Sequence, residues 1–277
     1  MSEEQSDQLF LTEDNINEIL KANCHGIGLD VPIYRIFQLE LIQKDIMDGC
    51  VTQVLLHPET WGDPSENPLI NQTFTDDVTG EPLSLAGIVN DFYALSWTKK
   101  ENESADDWLS FSHGKPVVRI GTTPRLLLKP LIKSDDRNAS LRNHIGLVQY
   151  LTEDELNSIN SSSDWQSHIE PYFEGQGYPR SLMRLRSGPI EKEEEVRLLF
   201  SLMESSSQAW LSEKVQLDKK DNVSLCKIPF EWRGVIQSVL FRSSVSPEDE
   251  ISFLNILDSK GLNCQTSRSS LYFIENN

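Results

Sequence analysis

Residues 92–97, Phe-Tyr-Ala-Leu-Ser-Trp, together with the following Thr98, decide the type of fold. The run is short, aromatic and apolar except for one serine, which is typical of a buried β-strand. Because side chains alternate along a strand, Trp97 is expected on one face, and Ser96 and Thr98 on the other. Two hydroxyl groups on one face need hydrogen-bond partners, which either a neighbouring strand or a polar ligand can supply.

Other strands and helices alternate irregularly around this segment. Apolar, β-branched runs predict strands at residues 31–36, 51–56, 116–120, 145–151, 182–186, 196–202, 235–241 and 271–274. Capping residues before helical spacing predict helices at residues 12–20, 39–47, 104–111 and 246–261, and one more that opens at Thr123-Pro124. Many strands follow one another too closely for the long crossovers of a parallel sheet. We therefore predict an α+β fold with a mixed, mostly antiparallel sheet flanked by helices.

The domain organisation is expected to be simple. Residues 1–30 are predicted to form an acidic helical preface, and residues 31–277 a single α+β domain. The chain has no linker rich in proline, glycine or serine that is long enough to separate two domains.

The net charge of the chain is −18, from 43 acidic and 25 basic residues. A protein that coats nucleic acid needs an excess of Lys and Arg to neutralise phosphates, so we expect no extended nucleic-acid binding face. A small basic pocket for one nucleotide is compatible with this charge.

The cellular environment is expected to be the cytoplasm. No stretch approaches the ~18 apolar residues of a membrane span, and the acidic residues 1–10 do not resemble a secretory leader. The four cysteines are scattered, without a metal-binding spacing or a disulfide framework. We expect a reduced protein without membrane association or bound metal.

The segment Glu-Lys-Glu-Glu-Glu-Val-Arg at residues 191–197 is the strongest local signal for a site. If it enters a strand, Glu193, Glu195 and Arg197 share one face. Two carboxylates and a guanidinium are poor core material, so this face should meet water, a partner or a site. A solvated strand is the alternative interpretation.

Arg35 follows Tyr34 in a predicted strand of mostly apolar residues. Arginine is almost never buried without a partner. Its guanidinium should therefore find either a carboxylate in the fold or a phosphate in a ligand.

The predicted helix at residues 104–111 carries Trp108 and Phe111. Its apolar residues need burial, so we expect both rings to pack beneath the strand that holds Ser96.

In their order along the chain, these segments resemble the bacterial domain-of-unknown-function family twenty-nine seventy-one. The shared features are the strand with Tyr34-Arg35, a Trp-x-Asp-Pro-x-Glu turn at 61–66, the Leu-Ser strand, the helix with Trp108, and Glu-x-Glu-x-Arg at 193–197. The resemblance covers residues 31–274. It implies a role in phage defence or abortive infection, where members of this family recur.

The motif order is also similar to that of ADP-ribosyltransferases, which use NAD as their substrate. The similarity implies that Arg35 holds a phosphate or ribose of NAD and that Ser96 fixes the hydrogen bonds of the site. Tyr34, Thr98 and Arg197 would complete the NAD-binding set.

The same similarity implies the catalytic pair. Glu195 would stabilise the oxocarbenium-like centre that forms as nicotinamide leaves. Glu193 would position or deprotonate the acceptor.

Two functional interpretations follow. The first is an enzyme acting on a nucleotide substrate such as NAD, in a toxin or phage-defence setting. The alternative is a non-catalytic sensor or interaction module of a defence system, with Arg35 in a structural ion network. Convergence of Arg35, Ser96 and Glu195 on one open cleft would favour the enzyme, and an Arg35 sealed against Glu193 or Glu195 would favour the module.

Overall fold

A computed structural model describes residues 11–47, 52–56, 73–75, 79–84, 92–136, 138–155, 179–180, 182–202, 215–220 and 223–271. The predicted turn at 61–66 lies outside these residues, and so does the last predicted strand apart from its first residue, Leu271.

The helices begin largely where capping residues predict them. They are α1 (Glu13–Ala22), α2 (Leu39–Met47), α3 (Ala105–Ser112), α4 (Pro124–Leu128), α5 (Ala139–Arg142) and α6 (Pro247–Ser259). The side chains of Thr12, Ser104, Thr123 and Ser246 each accept a hydrogen bond from the backbone N–H three residues further on. Within the described ranges, no helix is both long and apolar enough to cross a membrane.

Among the described residues, strands outnumber helices. They are β1 (Cys24–His25), β2 (Ile33–Gln38), β3 (Thr52–Leu56), β4 (Thr73–Thr75), β5 (Pro82–Ser84), β6 (Phe92–Thr98), β7 (Val117–Thr122), β8 (Asn143–Leu147), β9 (Gln149–Leu151), β10 (Arg184–Arg186), β11 (Glu195–Ser201), β12 (Gln216–Lys220), β13 (Val223–Pro229), β14 (Ser238–Phe241) and β15 (Gln265–Arg268).

Eleven of these strands form one sheet, in the order β1-β8-β11-β6-β2-β7-β14-β15, with β3, β13 and β12 attached beside β6. Its pairs are antiparallel except for β1 with β8 and β14 with β15. The prediction of an α+β fold with a mixed, mostly antiparallel sheet is confirmed.

The ladder between β6 and β11 sets the two faces of the sheet. It is antiparallel over seven residue pairs, from Glu195 opposite Thr98 to Ser201 opposite Phe92. The side chains of Trp97 and Val196 are buried in the main hydrophobic core. On the opposite face, the end of the ladder at Ser96, Thr98, Glu195 and Arg197 is polar, as the alternation in the sequence predicts. The other end of this face carries the buried apolar residues Phe92, Ala94 and Leu199.

The same hydrophobic core includes Leu20 of α1, and β1 pairs with Ile145 and Gly146 of β8. The described part of this segment, residues 11–30, is therefore packed on the sheet through α1 and β1. The division of the chain at residue 30 stays a prediction.

The sheet is nearly interrupted between β2 and β6. These strands pair only at Tyr34 opposite Thr98, whereas β2 and β7 pair at six positions. Where β2 and β6 diverge, Arg35 Nη1 donates a hydrogen bond to the backbone carbonyl of Ser96. The divergence leaves room for side chains between two neighbouring strands.

Helix α3 packs over β2 and β7. Trp108 is fully buried, and its indole N–H donates to Glu103 Oε2 at 2.8 Å. The predicted burial of Trp108 is confirmed, whereas its position beneath the strand that holds Ser96 stays a prediction, since the helix packs over β2 and β7. The prediction for Phe111 is wrong, because this residue is 48% exposed. Phe111 lies in the last turn of the helix, at the edge of a pocket.

Candidate functional site

A pocket of about 70 Å³ lies where β2 and β6 diverge, and we call it the charged pocket. It is lined by six of the seven residues predicted for the site: Tyr34, Arg35, Ser96, Thr98, Glu193 and Glu195. Arg197, the seventh, does not line it but binds Glu195. The other lining residues, which the sequence analysis did not assign to a site, are Ile36, Trp97, Lys100, Asp107, Phe111 and Arg119.

The carboxylate of Glu195 is held from two sides. Ser96 Oγ donates to Glu195 Oε1 at 2.6 Å. Arg197 donates from Nε to Oε1 at 2.9 Å and from Nη2 to Oε2 at 3.0 Å. Arg197 Nη1 in turn donates to the backbone carbonyl of Leu182 at 2.8 Å. This two-pronged, charge-assisted arrangement fixes the orientation of a buried carboxylate at the pocket wall.

Glu193 does not lie on a strand, so the condition under which it would share a face with Glu195 and Arg197 is not met. Residues Pro189–Glu193 form a 3-10 helix, and Glu194 has a φ of +45°, in the left-handed region. Strand β11 starts only at Glu195. The alternation of a strand therefore does not extend back to Glu193, and the turn at Glu194 brings Glu193 to the pocket instead.

The turn at Glu194 is fixed by β6. Thr98 Oγ1 donates to the backbone carbonyl of Glu193. The backbone N–H of Lys99 donates to the carbonyl of Glu194 at 3.1 Å. These bonds hold in place a backbone conformation that a residue with a β-carbon adopts only at a cost.

The electrostatic surroundings raise the pKa of Glu193 above its ordinary value. The main cause is partial burial, followed by repulsion from the carboxylates of Glu195 and Asp107, while Lys100 acts in the opposite direction. Lys100 Nζ is paired with Asp107 Oδ2 at 2.8 Å. Glu193 therefore binds a proton more readily than an ordinary glutamate.

Arg35 is positioned as part of the wall. Besides its bond to the Ser96 carbonyl, its guanidinium carbon lies 5.3 Å from the centre of the Phe37 ring. Burial lowers the pKa of Arg35 to about 10, and the nearby charge of Glu195 opposes this effect. Among the described residues, its buried Nε has no hydrogen-bond partner. Arg35 is thus close to Glu195 without being paired with it.

Arg119 is a site residue that the sequence analysis missed. Its guanidinium carbon lies 3.9 Å from the centre of the Tyr34 ring, a cation–π contact. It also donates to the backbone carbonyls of Glu101, at 2.8 Å, and Lys100. Burial lowers the pKa of Arg119, and Tyr34 is the first of several groups that oppose this. The sequence feature that could have identified Arg119 is its position inside the mostly apolar strand predicted at residues 116–120.

Tyr150 on β9 is a second residue that was missed. Its hydroxyl oxygen accepts a hydrogen bond from the backbone N–H of Glu195 at 3.4 Å. Burial raises the pKa of Tyr150 to about 12. Tyr150 therefore supports the first residue of β11 from outside the pocket.

No family model matches the chain, and no curated protein matches it by sequence. The resemblance to family twenty-nine seventy-one is therefore not confirmed.

Solved structures of DarT from Thermus sp. 2.9 are similar to this chain at 11% sequence identity. The complex with ADP-ribosylated single-stranded DNA has a TM-score of 0.37, with 88% of this chain and 97% of that chain covered. The complex with NAD⁺ has a TM-score of 0.36, with 87% and 96% covered. The complex with carba-NAD⁺ has a TM-score of 0.37, with 89% and 100% covered. A likeness at this level supports no conclusion about the activity of this chain.

Proposed function

We propose that the charged pocket is the reaction centre of an ADP-ribosyltransferase that uses NAD. The observation that carries this proposal is the Glu195 carboxylate, fixed by Ser96 and Arg197 on the wall of a pocket that Glu193 and Arg35 also line. The proposed biological role of this enzyme is that of a toxin or a phage-defence protein.

Glu195 acts on the ribose of NAD. The bond between ribose C1′ and the nicotinamide nitrogen breaks, and its electron pair leaves with nicotinamide. Positive charge then develops on the ribose, and the Glu195 carboxylate stabilises it electrostatically. Since Ser96 and Arg197 already orient this carboxylate, little reorganisation is needed during the reaction.

Glu193 acts on the acceptor. A nucleophilic oxygen or nitrogen of the acceptor forms the new bond to C1′, and its proton passes to the Glu193 carboxylate. The raised pKa of Glu193 makes it a stronger base than an ordinary glutamate.

Basic groups around the pocket support an anionic substrate. Arg35, Lys100 and Arg119 all line it, in a protein whose net charge is −18. Guanidinium and ammonium groups are the usual partners of phosphate oxygens in proteins. The lining also holds three carboxylates, those of Asp107, Glu193 and Glu195, and Lys100 is paired with Asp107. The guanidinium groups of Arg35 and Arg119 are therefore the cations that would meet the diphosphate of NAD.

The non-catalytic interaction module is the second candidate. In its favour, both oxygens of Glu195 already have partners, and Arg35 already donates to Ser96. The volume of about 70 Å³ is also far below the roughly 300–1,000 Å³ of pockets that hold whole ligands. In this case the charged cluster stabilises the fold and binds no substrate.

Incubation of the protein with labelled NAD and cell extract distinguishes the two functions. We expect transfer of label and release of nicotinamide, both of which should disappear in a Glu195→Gln variant. Glu194→Gln is the matched control, because Glu194 is the neighbouring acid and does not line the pocket. If neither nicotinamide release nor label transfer occurs with the folded wild-type protein, the proposed activity is wrong.

A further inference from the structure

A second and larger pocket, about 720 Å³ in volume, lies beside the charged pocket. We call it the neutral groove. It is formed where β7 ends and where β14 and β15 begin, and Tyr34 lines both pockets. Tyr34 is therefore the junction between them.

The pairing of the strands aligns the two pockets on one face of the sheet. Six residues on six adjacent strands are in register with one another: Glu195, Thr98, Tyr34, Gly121, Ser238 and Gln265. Residues in register point to the same face of a sheet, and adjacent strands are about 4.8 Å apart. Five steps give a row about 24 Å long, from the carboxylate of Glu195 to the amide of Gln265.

The neutral groove differs from the charged pocket in its chemistry. Gln237, Ser238, Asn263 and Gln265 supply most of its polar groups, and none of the described residues that line it is charged. An amide side chain offers a donor and an acceptor side by side. This pair matches the edge of a nucleobase, as in the two-pronged contacts that Asn and Gln make with adenine.

The floor of the groove depends on a glycine. A β-carbon on Gly121 would lie 2.2 Å from Ser238 Oγ and 3.2 Å from the Tyr34 ring. The absence of a side chain here lets the ring of Tyr34 lie against the strand while Arg119 covers it. The ring of Tyr34, held by Gly121 and Arg119, thus lies between the two pockets.

We propose that the neutral groove binds the uncharged nucleoside half of a dinucleotide whose other half reaches Glu195. This inference rests on the proposed function. The charged pocket, at about 70 Å³, is too small for a dinucleotide, whereas the neutral groove, at about 720 Å³, has the size of ordinary ligand pockets. A row about 24 Å long lets one extended ligand contact both.

Two fragments of NAD test this assignment directly. Adenosine monophosphate and nicotinamide mononucleotide each carry one ribose and one phosphate and differ in the base. In a double variant, Gln237→Ala with Gln265→Ala, we expect the Kd for adenosine monophosphate to rise about tenfold or more. The Kd for nicotinamide mononucleotide should change less than about twofold. Both glutamines are exposed, so these substitutions should not prevent folding.

Gln216→Ala is the matched control, since Gln216 is an exposed glutamine of β12 outside both pockets. The assignment of the groove is wrong if wild-type protein does not bind adenosine monophosphate, or if the double variant binds it as tightly as the control.

Nicotinamide release from NAD is measured separately on the same proteins. If nicotinamide is released but the binding of adenosine monophosphate does not depend on the two glutamines, the assignment of the neutral groove is wrong and the proposed activity stands. If adenosine monophosphate binds in a way that depends on the two glutamines but no nicotinamide is released, the neutral groove is supported as a nucleoside site and the proposed activity is wrong.

Discussion

Two buried arginine–carboxylate pairs have the same chemistry and different surroundings. Arg142 Nε donates to Asp136 Oδ2 at 2.8 Å, and both side chains are completely buried. Arg197 and Glu195 are nearly as inaccessible, with side-chain exposures of 4% and 8%. Burial alone therefore does not distinguish a structural pair from a candidate catalytic pair.

The difference lies in what else each pair contacts. Arg142 Nη1 donates to the backbone carbonyls of Ser201 and Leu202, and neither Arg142 nor Asp136 lines either pocket. Glu195, in contrast, forms part of a pocket wall. A carboxylate fixed next to a pocket can act on a ligand, whereas a carboxylate enclosed by its own chain stabilises the fold. The following predictions test this distinction.

The largest effect is expected at the enclosed pair. Asp136→Asn removes the charge that compensates Arg142, so the free energy of unfolding should fall by about 3–5 kcal/mol. Urea denaturation measures this loss. The control is Asp135→Asn, at an exposed neighbour, which should change the stability by less than about 0.5 kcal/mol. If the two variants were equally stable, the buried pair of Arg142 and Asp136 would not stabilise the fold.

At the pocket pair, the main effect is expected on activity. Glu195→Gln keeps the volume and removes the charge, so the rate of nicotinamide release should fall about 100- to 1,000-fold. Because Glu195 lines a pocket, water can reach the groups that lose their partner, and we therefore expect a smaller loss of stability than for Asp136→Asn. Full activity combined with a stability loss as large as that of Asp136→Asn would make the two pairs equivalent and refute the distinction.

The acid limb of the pH profile reports on Glu193. As a base, Glu193 must be deprotonated, so activity should decrease as the pH falls through its raised pKa. Asp107→Asn removes a negative charge that raises the pKa of Glu193. It also frees Lys100 from its ion pair, and the charge of Lys100 lowers the pKa of Glu193. The acid limb should therefore move to lower pH, while Asp106→Asn, at an exposed site outside the pocket, should leave it in place. A shift to higher pH would exclude Glu193 as the base.

The smallest effect is expected at the turn between the two acids. Glu194 has a positive φ, which costs a residue with a β-carbon about 1 kcal/mol compared with glycine. Glu194→Gly should therefore be about 1 kcal/mol more stable to urea than Glu194→Ala, although glycine is normally the less stable of the two within regular structure. The normal order, with alanine more stable, would indicate that the turn is not strained.

Local signals predicted much of the fold. The caps at Ser104, Thr123 and Ser246 each place one oxygen near one N–H, which a short sequence can encode. The alternation in β6 and β11 correctly placed Ser96 and Arg197 on the polar face.

Long-range geometry escaped the sequence analysis for physical reasons. The pairing of Tyr34 with Thr98 joins residues 64 positions apart, and no local pattern encodes it. No glycine marks the left-handed turn at Glu194, so the strand alternation considered for this segment could not show that Glu193 lies in the preceding 3-10 helix. Phe111 was expected in the core because a helix pattern shows which residues are apolar, but not where the underlying surface ends.

The edges of the sheet have a consequence for the behaviour of the protein at high concentration. Among the described strands of the main sheet, β1, β12 and β15 pair on one side only. The first has two residues, the second contains Asp218, Lys219 and Lys220, and all four residues of the third are exposed. Short and charged edges are poor templates for a strand from another molecule. These edges therefore oppose growth of the sheet into fibrils, and the mutual repulsion of molecules that each carry a charge of −18 acts in the same direction.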